Sequence, residues 1–205
     1  MPSPSSTTNN PLFLSSQLPP IILASASPRR CDILTTLGLA FQVIPADIDE
    51  ASMSKGIHEP KQHAIKLSQA KCSAIATKYP SHLVIGSDTI VTQHGNIFGK
   101  PHHADDAFSM LNELQGNSHE VISSITVMYQ GKQTTLAPST TVYVSPMSHE
   151  EIQAYISTGD PMDKAGAYGI QGCFAPFIQR IEGCYFNVVG LSPHGLKQAV
   201  TDCLS

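Results

Sequence analysis

Residues 21–30, with the sequence IILASASPRR, constrain the fold of this chain more than any other segment. The apolar residues at its start predict a strand that ends in a turn of small hydroxyl residues. Pro28 suits the first turn of a helix, and Arg29 and Arg30 place two permanent positive charges beside the helix N-terminus. Because backbone N–H groups there have no partner, the segment predicts a cradle for a polyphosphate. From this segment alone, a plain strand, turn and helix with solvated arginines is an equal alternative.

The composition excludes several classes of protein. A chain of 205 residues with 41% hydrophobic and 14% charged residues is typical of a compact globular domain. No apolar run approaches the length of a membrane span, so we expect no membrane association. The formal net charge of −4 argues against nucleic-acid binding, which requires a basic surface. Any anion-binding site is therefore expected to be local.

Cysteine usage and the N-terminal composition set the expected compartment and domain boundaries. The five cysteines are an odd number without a Cys-x-x-Cys pair, which favours a reducing compartment over a disulfide framework or a zinc cluster. Residues 1–20 are rich in Ser, Pro, Thr and Asn and carry no charged side chain, so they predict a flexible tail. Residues 21–205 are expected to form a single domain. Because no basic leader is present, we expect a cytoplasmic protein.

Hydrophobic periodicity predicts an α/β protein with a mixed sheet. Helices are expected over residues 29–37, 60–79, 104–115 and 149–157, with another after Pro193. The apolar run at residues 83–85 predicts a buried strand that ends at Asp88, and alternation predicts antiparallel strands over residues 121–129 and 142–144. Residues 177–181 and 185–189 are expected to form a hairpin.

The charged residues that do not suit a solvated face fall in five separate segments. Asp88 is the most diagnostic, because a carboxylate at the end of a buried strand is costly unless a cation or hydrogen bonds meet it. A capping or turn aspartate is the alternative. The other charged members of the set are Arg29, Arg30, Glu50, Lys71, Lys100 and Lys164, and the uncharged Gln171 is grouped with Lys164. Several cations with two carboxylates suit metal-dependent phosphoryl chemistry, because the cations hold phosphates and the carboxylates hold Mg²⁺ and a water.

Six motifs in order along the chain resemble the Maf nucleotide pyrophosphatases. They are SASPRR at residues 25–30, DIDE ending at Glu50, LSQAK ending at Lys71, IGSDTIV around Asp88, GKP at Lys100 and DKAGAYGIQG at residues 163–172. The resemblance implies a mixed, elongated sheet with flanking helices, two lobes with a central cleft, and a fold like that of the inosine triphosphate pyrophosphatases. It also implies hydrolysis of nucleoside triphosphates to monophosphate and pyrophosphate, and a homodimer.

The resemblance assigns a role to each matching position. Arg29, Arg30, Lys71 and Lys100 would neutralise the triphosphate, and Lys164 and Gln171 would also contact substrate. Glu50 and Asp88 would bind Mg²⁺ or Mn²⁺, and Asp88 would orient or deprotonate the water that attacks the α-phosphorus. Ser25 and Ser27 are candidate donors to phosphate oxygens, although Ser27 equally suits a helix cap.

The sequence IQG around Gln171 resembles the branch of the family that acts on dTTP, UTP and related pyrimidine nucleotides. The branch that acts on 7-methyl-GTP usually has a glutamate there, and an ionised carboxylate only accepts hydrogen bonds whereas an amide also donates them. A preference for 7-methyl-GTP is one alternative. Another is a non-catalytic nucleotide sensor that regulates septum formation, against which the two carboxylates weigh. One departure from the family is Gly-Asn-Ser-His at residues 116–119, where a threonine often precedes the histidine.

Overall fold

The structure is a computed structural model that describes residues 18–205. Residues 1–17, which make up most of the predicted tail, lie outside the described residues. The last residues of that tail contact the domain. Leu18 packs against the core, and the Pro20 carbonyl accepts a hydrogen bond from the Leu83 N–H at 2.9 Å. Contacts with the domain therefore extend at least to Leu18.

The described chain alternates helices and strands. The strands are β1 (Ile21–Leu23), β2 (Phe41–Val43), β3 (Leu83–Gln93), β4 (Asn96–Phe98), β5 (Ser118–Tyr129), β6 (Lys132–Leu136), β7 (Ser139–Val144) and β8 (Ile178–Glu182). The helices are α1 (Pro28–Thr36), α2 (Glu50–Ser54), α3 (Pro60–Ala76), α4 (Ala104–Leu114), α5 (His149–Ser157), α6 (Tyr185–Val189) and α7 (Pro193–Leu204). Short 3₁₀ helices cover Asp160–Asp163, Ala165–Ala167 and Gly172–Phe177.

The strands form one mixed sheet, as the sequence predicts. Its order is β2-β1-β3-β5-β7-β8, with β4 added to β3 and β6 added to β5. β1 is parallel to β2 and β3, whereas all other pairs are antiparallel. One hydrophobic core contains Leu23, Leu34 and Leu196, and a second contains Leu111, Ile152 and Phe174. The predicted mixed α/β fold with flanking helices is confirmed.

The central strand β3 has an edge that is paired only at its two ends. β1 pairs with residues 83–85, and β4 pairs with residues 91–93 on the same side. Between them, residues 86–90 face no strand of the described chain on that side, whereas β5 pairs with them on the other. The expectation that the strand ends at Asp88 is wrong, because pairing with β5 continues to Thr92. Asp88 instead lies at the middle of the open edge.

The contact between α3 and β3 depends on a glycine. A Cβ atom at Gly86 would lie 2.5 Å from the Ser68 carbonyl oxygen and 2.8 Å from the Cys72 backbone nitrogen. Only a residue without a side chain lets the helix backbone approach the strand this closely. The glycine therefore brings Lys71, one residue before Cys72, close to the face of β3 that carries Asp88.

The prediction that residues 185–189 form a strand is wrong, because they form α6. Gly183, with φ 133°, turns the chain after β8. The side chain of the fully buried Asn187 then donates to the Val121 carbonyl at 2.9 Å and the Thr140 hydroxyl at 3.1 Å. These contacts with β5 and β7 fix the short helix against the sheet. No helix of residues 18–205 is both long and apolar enough to cross a membrane.

Candidate active site

A cavity of about 890 Å³ lies at the open edge of β3. Its wall includes residues of α1, α2, α3 and β4, together with parts of the segments at residues 163–171 and 188–190. The predicted site residues in the wall are Ser27, Arg29, Arg30, Glu50, Lys71, Asp88, Lys100, Lys164 and Gln171. The fold therefore brings residues from both ends of the chain to one site. Ser25 is the one predicted residue that is not among the residues described as lining it.

The two predicted carboxylates share one ammonium group. Lys71 Nζ lies 2.7 Å from Asp88 Oδ1 and 3.0 Å from Glu50 Oε1. The side chains of Lys71 and Asp88 are only 12% and 9% exposed, whereas that of Glu50 is 54% exposed. Because burial of an unpaired carboxylate is costly, the lysine stabilises Asp88 in the sheet. Two carboxylates and one ammonium leave one negative charge in excess at this point.

Arg30 is buried and held by three different segments. Its Nε donates to the Gly190 carbonyl at 3.0 Å, Nη1 to the Ser25 hydroxyl at 2.9 Å, and Nη2 to the Thr89 hydroxyl at 3.0 Å. Burial lowers the pKa of Arg30 from its ordinary value, and the Asp88 carboxylate opposes that shift. Arg30 is 9% exposed and makes three hydrogen bonds within the protein, so its orientation is fixed before any ligand arrives.

The two serines differ in what they can do. The Ser25 hydroxyl accepts from both Arg30 Nη1 and the Ser27 N–H, so Ser25 positions the arginine from behind the cavity wall. Ser27 occupies the N-cap position of α1, but its side chain makes no capping hydrogen bond within the described chain. The first N–H groups of α1 therefore lack a side-chain cap beside the cavity.

Arg29 and Lys164 are both paired with carboxylates of the 160–163 segment. Arg29 Nη1 lies 3.1 Å from Asp163 Oδ2. Lys164 Nζ donates to the Asp160 carbonyl at 2.5 Å, to Asp160 Oδ1 at 2.9 Å and to Asp163 Oδ1 at 2.7 Å. Partial burial raises the pKa of Asp163, but hydrogen bonds from Lys164 and Arg29 outweigh it, and the net pKa is lowered. All three N–H donors of Lys164 are thus used within the protein.

Lys100 and Gln171 present unpaired polar groups to the cavity. Lys100 is exposed, and no ion pair or hydrogen bond of its ammonium is found within residues 18–205. Gln171 is likewise exposed in the wall, at the end of the segment that begins at Lys164. Both side chains are free to contact a ligand.

A buried pair of rings supports the segment before Gln171. The Tyr168 hydroxyl and His119 Nε2 are 2.7 Å apart, and the two rings meet edge to face at a centroid distance of 5.2 Å. Burial lowers the pKa of His119 to about 4 and raises that of Tyr168. At neutral pH the imidazole is therefore uncharged. Tyr168 also lines the cavity.

Several residues of the site were not indicated by the sequence patterns. Thr89 and Gly190 hold Arg30, Asp163 holds Arg29, and His63 and His102 line the cavity. Thr89 lies beside Asp88 in the motif IGSDTIV, and Asp163 is the first residue of the motif DKAGAYGIQG, so these two motifs were the available signals. The contacts of Gly190 and Asp163 join segments more than 100 residues apart, so local spacing gives no indication of them.

The carboxylates of Glu50 and Asp88 suit a divalent cation whose remaining ligands are phosphate oxygens of the substrate. Both groups offer hard carboxylate oxygens beside the Lys71 ammonium, which balances only one of their two negative charges. Within residues 18–205 no group of three or more His, Cys, Asp or Glu side chains is arranged to enclose a metal ion. Mg²⁺ is commonly bound by one or two carboxylates together with substrate phosphates and waters.

Comparisons with known proteins place the whole described domain in one group. A family model described as "Maf-like protein" matches residues 20–203. The chain is 46% identical over 174 residues to a dTTP/UTP pyrophosphatase of Geobacillus sp. (strain WCH70), covering 83% of this chain and 91% of the relative. It is 44% identical over 171 residues to a dTTP/UTP pyrophosphatase of Syntrophomonas wolfei, covering 82% and 89%.

Solved structures with similar shape are more distant in sequence. The Staphylococcus aureus Ham1 protein has a TM-score of 0.47 and 13% sequence identity, covering 90% of this chain and 95% of that chain. A nucleoside-triphosphatase (dITP/XTP pyrophosphatase) from Mycobacterium abscessus has a TM-score of 0.40 and 11% identity, covering 89% and 93%.

Proposed function

The chain belongs to the Maf family, and from this premise we propose that it hydrolyses dTTP, UTP and related pyrimidine nucleotides to the nucleoside monophosphate and pyrophosphate. The support from the comparisons is that relatives 44% and 46% identical over most of the chain carry the name dTTP/UTP pyrophosphatase. The protein is then a hydrolase that acts on a phosphoric anhydride bond.

One structural observation carries the proposal: the carboxylates of Glu50 and Asp88 share a cavity with the cationic groups of Arg29, Arg30 and Lys100. A cavity built only to hold a triphosphate has little use for carboxylates, which repel phosphate. A cavity built to hydrolyse one requires both signs of charge, because the anionic substrate must be bound and a water must lose a proton.

Each group has a task in the proposed reaction. Arg30, Arg29 and the ammonium of Lys100 bind phosphate oxygens, and the N-terminus of α1, which has no side-chain cap, lies in the same cavity wall. The carboxylate of Asp88 orients a water and accepts its proton. The water oxygen bonds to the α-phosphorus as the bond from that phosphorus to the bridging oxygen of the β-phosphate breaks. Pyrophosphate leaves with the electron pair of that bond.

We also propose that Mg²⁺ or Mn²⁺ takes part, held by Glu50 and Asp88. When bound, such an ion withdraws charge from phosphate oxygens and lowers the pKa of a water. Lys71 keeps both carboxylates in place, at 3.0 and 2.7 Å from its Nζ. Its task is therefore to organise the carboxylates and balance their charge.

We assign the preference of the enzyme for one nucleotide base to the segment that ends at Gln171. The phosphates are common to all nucleotides, so only groups at the base end of the cavity can discriminate among them. An amide both donates and accepts hydrogen bonds, as pairing with a pyrimidine edge requires. Gln171 is exposed in the cavity wall, and Tyr168 below it is fixed by His119.

Two further parts of the proposal concern the setting of the enzyme. We propose a cytoplasmic location, supported by the five free cysteines, which suit a reducing compartment. The homodimer that the family resemblance implies stays a proposal, and sedimentation velocity measures it.

Product analysis with a nucleotide panel tests the function. With Mg²⁺ or Mn²⁺, UTP and dTTP should give pyrophosphate and monophosphate faster than ATP or GTP. Asp88→Asn should lower turnover about 10²-fold or more, the scale of losing a positioned proton acceptor. Folding should survive, because Lys71 keeps Glu50 as a partner. The matched control is Asp47→Asn, an exposed aspartate outside the cavity wall. Stepwise release of orthophosphate contradicts the reaction, and a preference for 7-methyl-GTP contradicts the branch.

A further inference from the structure

Behind Arg30 lies a series of hydrogen bonds that crosses the sheet. Arg30 Nη2 donates to Thr89 Oγ1 on β3, which lies 2.9 Å from Ser123 Oγ on β5. Ser123 Oγ donates in turn to the Asn187 carbonyl in α6 at 2.7 Å. Both ends of this series are distant in sequence from its middle, so only the tertiary fold assembles it. None of these contacts involves a group that the proposed reaction uses, apart from Arg30.

Chemistry fixes the direction of the hydrogen bonds at the two ends of the series. A guanidinium can only donate, and a backbone carbonyl can only accept. Ser123 has one hydroxyl hydrogen, and the Asn187 carbonyl takes it. The Thr89 hydroxyl can donate to Ser123 Oγ at 2.9 Å or to the Gly190 carbonyl at 3.3 Å, and in both cases its oxygen accepts from Arg30. The hydroxyl of Thr89 is therefore oriented with an oxygen lone pair toward the arginine.

This arrangement fixes how Arg30 faces the cavity. A guanidinium has five N–H donors, of which Nε, one on Nη1 and one on Nη2 are bound within the protein. One N–H on each of Nη1 and Nη2 remains, and two such donors in one plane match a pair of phosphate oxygens. Without an acceptor at Thr89, the buried Nη2 would lose a partner, and the guanidinium plane could turn.

We propose that Thr89 is a positioning residue that sets the orientation of Arg30 for phosphate binding, with Ser123 and the Asn187 carbonyl orienting its hydroxyl. The role of Arg30 as a phosphate ligand rests on the proposed function. The positioning itself rests on the contacts of Thr89. Ser25 accepts from Nη1, so Thr89 and Ser25 together hold both terminal nitrogens of the Arg30 guanidinium.

The test replaces the hydroxyl while keeping the shape of the side chain. Thr89→Val should raise the Kd of inorganic pyrophosphate, measured by calorimetry without nucleotide, about tenfold, the scale of one hydrogen bond to a charged group. For UTP hydrolysis, KM should rise by a similar factor, with kcat changed less. Thr89→Ser keeps the hydroxyl and should restore both values. If valine prevents folding, Thr89→Ala removes the hydroxyl without adding a methyl group and takes its place.

The matched control lies on the same strand. Thr92 is buried, and its hydroxyl has no hydrogen-bond partner within residues 18–205, so Thr92→Val should leave the Kd and KM unchanged. Ser123→Ala should have a smaller effect than Thr89→Val, because the Thr89 hydroxyl can donate instead to the Gly190 carbonyl at 3.3 Å.

The outcomes separate this inference from the proposed function. Wild-type protein that binds pyrophosphate but cleaves no nucleotide contradicts the function, and the Kd series still tests the positioning. Wild-type affinity in Thr89→Val overturns the positioning while the function stands. An equal loss in Thr89→Val and Thr89→Ser overturns it too, since a hydroxyl that orients Arg30 must rescue binding. Absence of pyrophosphate binding in the wild type contradicts both.

Discussion

At the scale of single residues, the cations of the cavity differ in whether a carboxylate of the described chain pairs with them. Lys164 donates all three of its N–H groups to Asp160 and Asp163. Lys100 lies in the same wall with no ion pair or hydrogen bond to the described chain. A phosphate that approaches would have to displace the partners of Lys164, whereas it meets Lys100 directly. The two lysines should therefore respond differently to the same substitution.

Lys100→Met should raise KM for UTP about tenfold and leave the melting temperature unchanged, because a phosphate contact is lost and no internal contact is. Lys164→Met should lower the melting temperature, because Asp160 loses its cation and Asp163 keeps only Arg29. Steady-state kinetics and thermal unfolding measure the two effects. Lys78→Met, at an exposed site in the turn that follows α3, is the control. An unchanged melting temperature in Lys164→Met would show that its ion pairs contribute nothing to stability.

At the scale of elements, the ion pair of Lys71 and Asp88 depends on how closely α3 lies on β3. The helix supplies Lys71 and the strand supplies Asp88, and Gly86 lets the two backbones approach. The polar contacts of Ser68 with Ser124 and Thr126, at 2.7 and 2.9 Å, hold the helix against the sheet from the same face. The ion pair is thus a consequence of helix–sheet packing.

Gly86→Ala should destabilise the protein by about 2 kcal/mol or more, the range of overpacked cores, because the added methyl group meets backbone atoms that cannot rotate away. Turnover should also fall as α3 moves from β3. Urea unfolding of this variant and of Gly99→Ala measures the effect. A Cβ atom at Gly99 has no neighbour within 4 Å, so that variant should keep wild-type stability. Equal midpoints for the two variants would refute the packing argument.

At the scale of the whole molecule, one buried imidazole links stability to pH. His119 is 3% exposed, and burial lowers its pKa to about 4, whereas an unfolded histidine titrates near its ordinary value of 6.5. Between these values the unfolded chain binds a proton that the folded protein does not. The contribution of the neutral imidazole is therefore complete above about pH 6.5, and it is lost as the pH falls toward 4.

The free energy of unfolding should fall by about 2 kcal/mol between pH 8 and pH 5 through His119 alone. His119→Gln keeps a group that can hydrogen-bond to Tyr168 but does not titrate, so its stability should depend less on pH by that amount. Urea unfolding of both proteins at the two pH values measures the difference. Parallel pH profiles would mean that His119 is not buried in its neutral form.

Local chemistry along the chain was enough to predict several helices and strands of this protein and many residues of its cavity. The strand, turn and helix at residues 21–30 and the helices α3 and α5 all depend on neighbours within one or two turns. The motifs also identified residues that meet in one cavity. Residue type and short spacing determine these features, because helix caps, periodicity and charge act over a few residues.

Only the tertiary structure decided how those residues are used. The hydrogen bond of Arg30 to Gly190 spans 160 positions, and that of Arg29 to Asp163 spans 134. The position of Asp88 at the middle of an open strand edge follows from the pairing of β1 and β4 with the two ends of that edge. The helix at residues 185–189 follows from contacts with β5 and β7. A sequence pattern shows which groups are present. Which of them pair with each other, and which remain free for a substrate, depends on distances that exist only when remote segments have packed together.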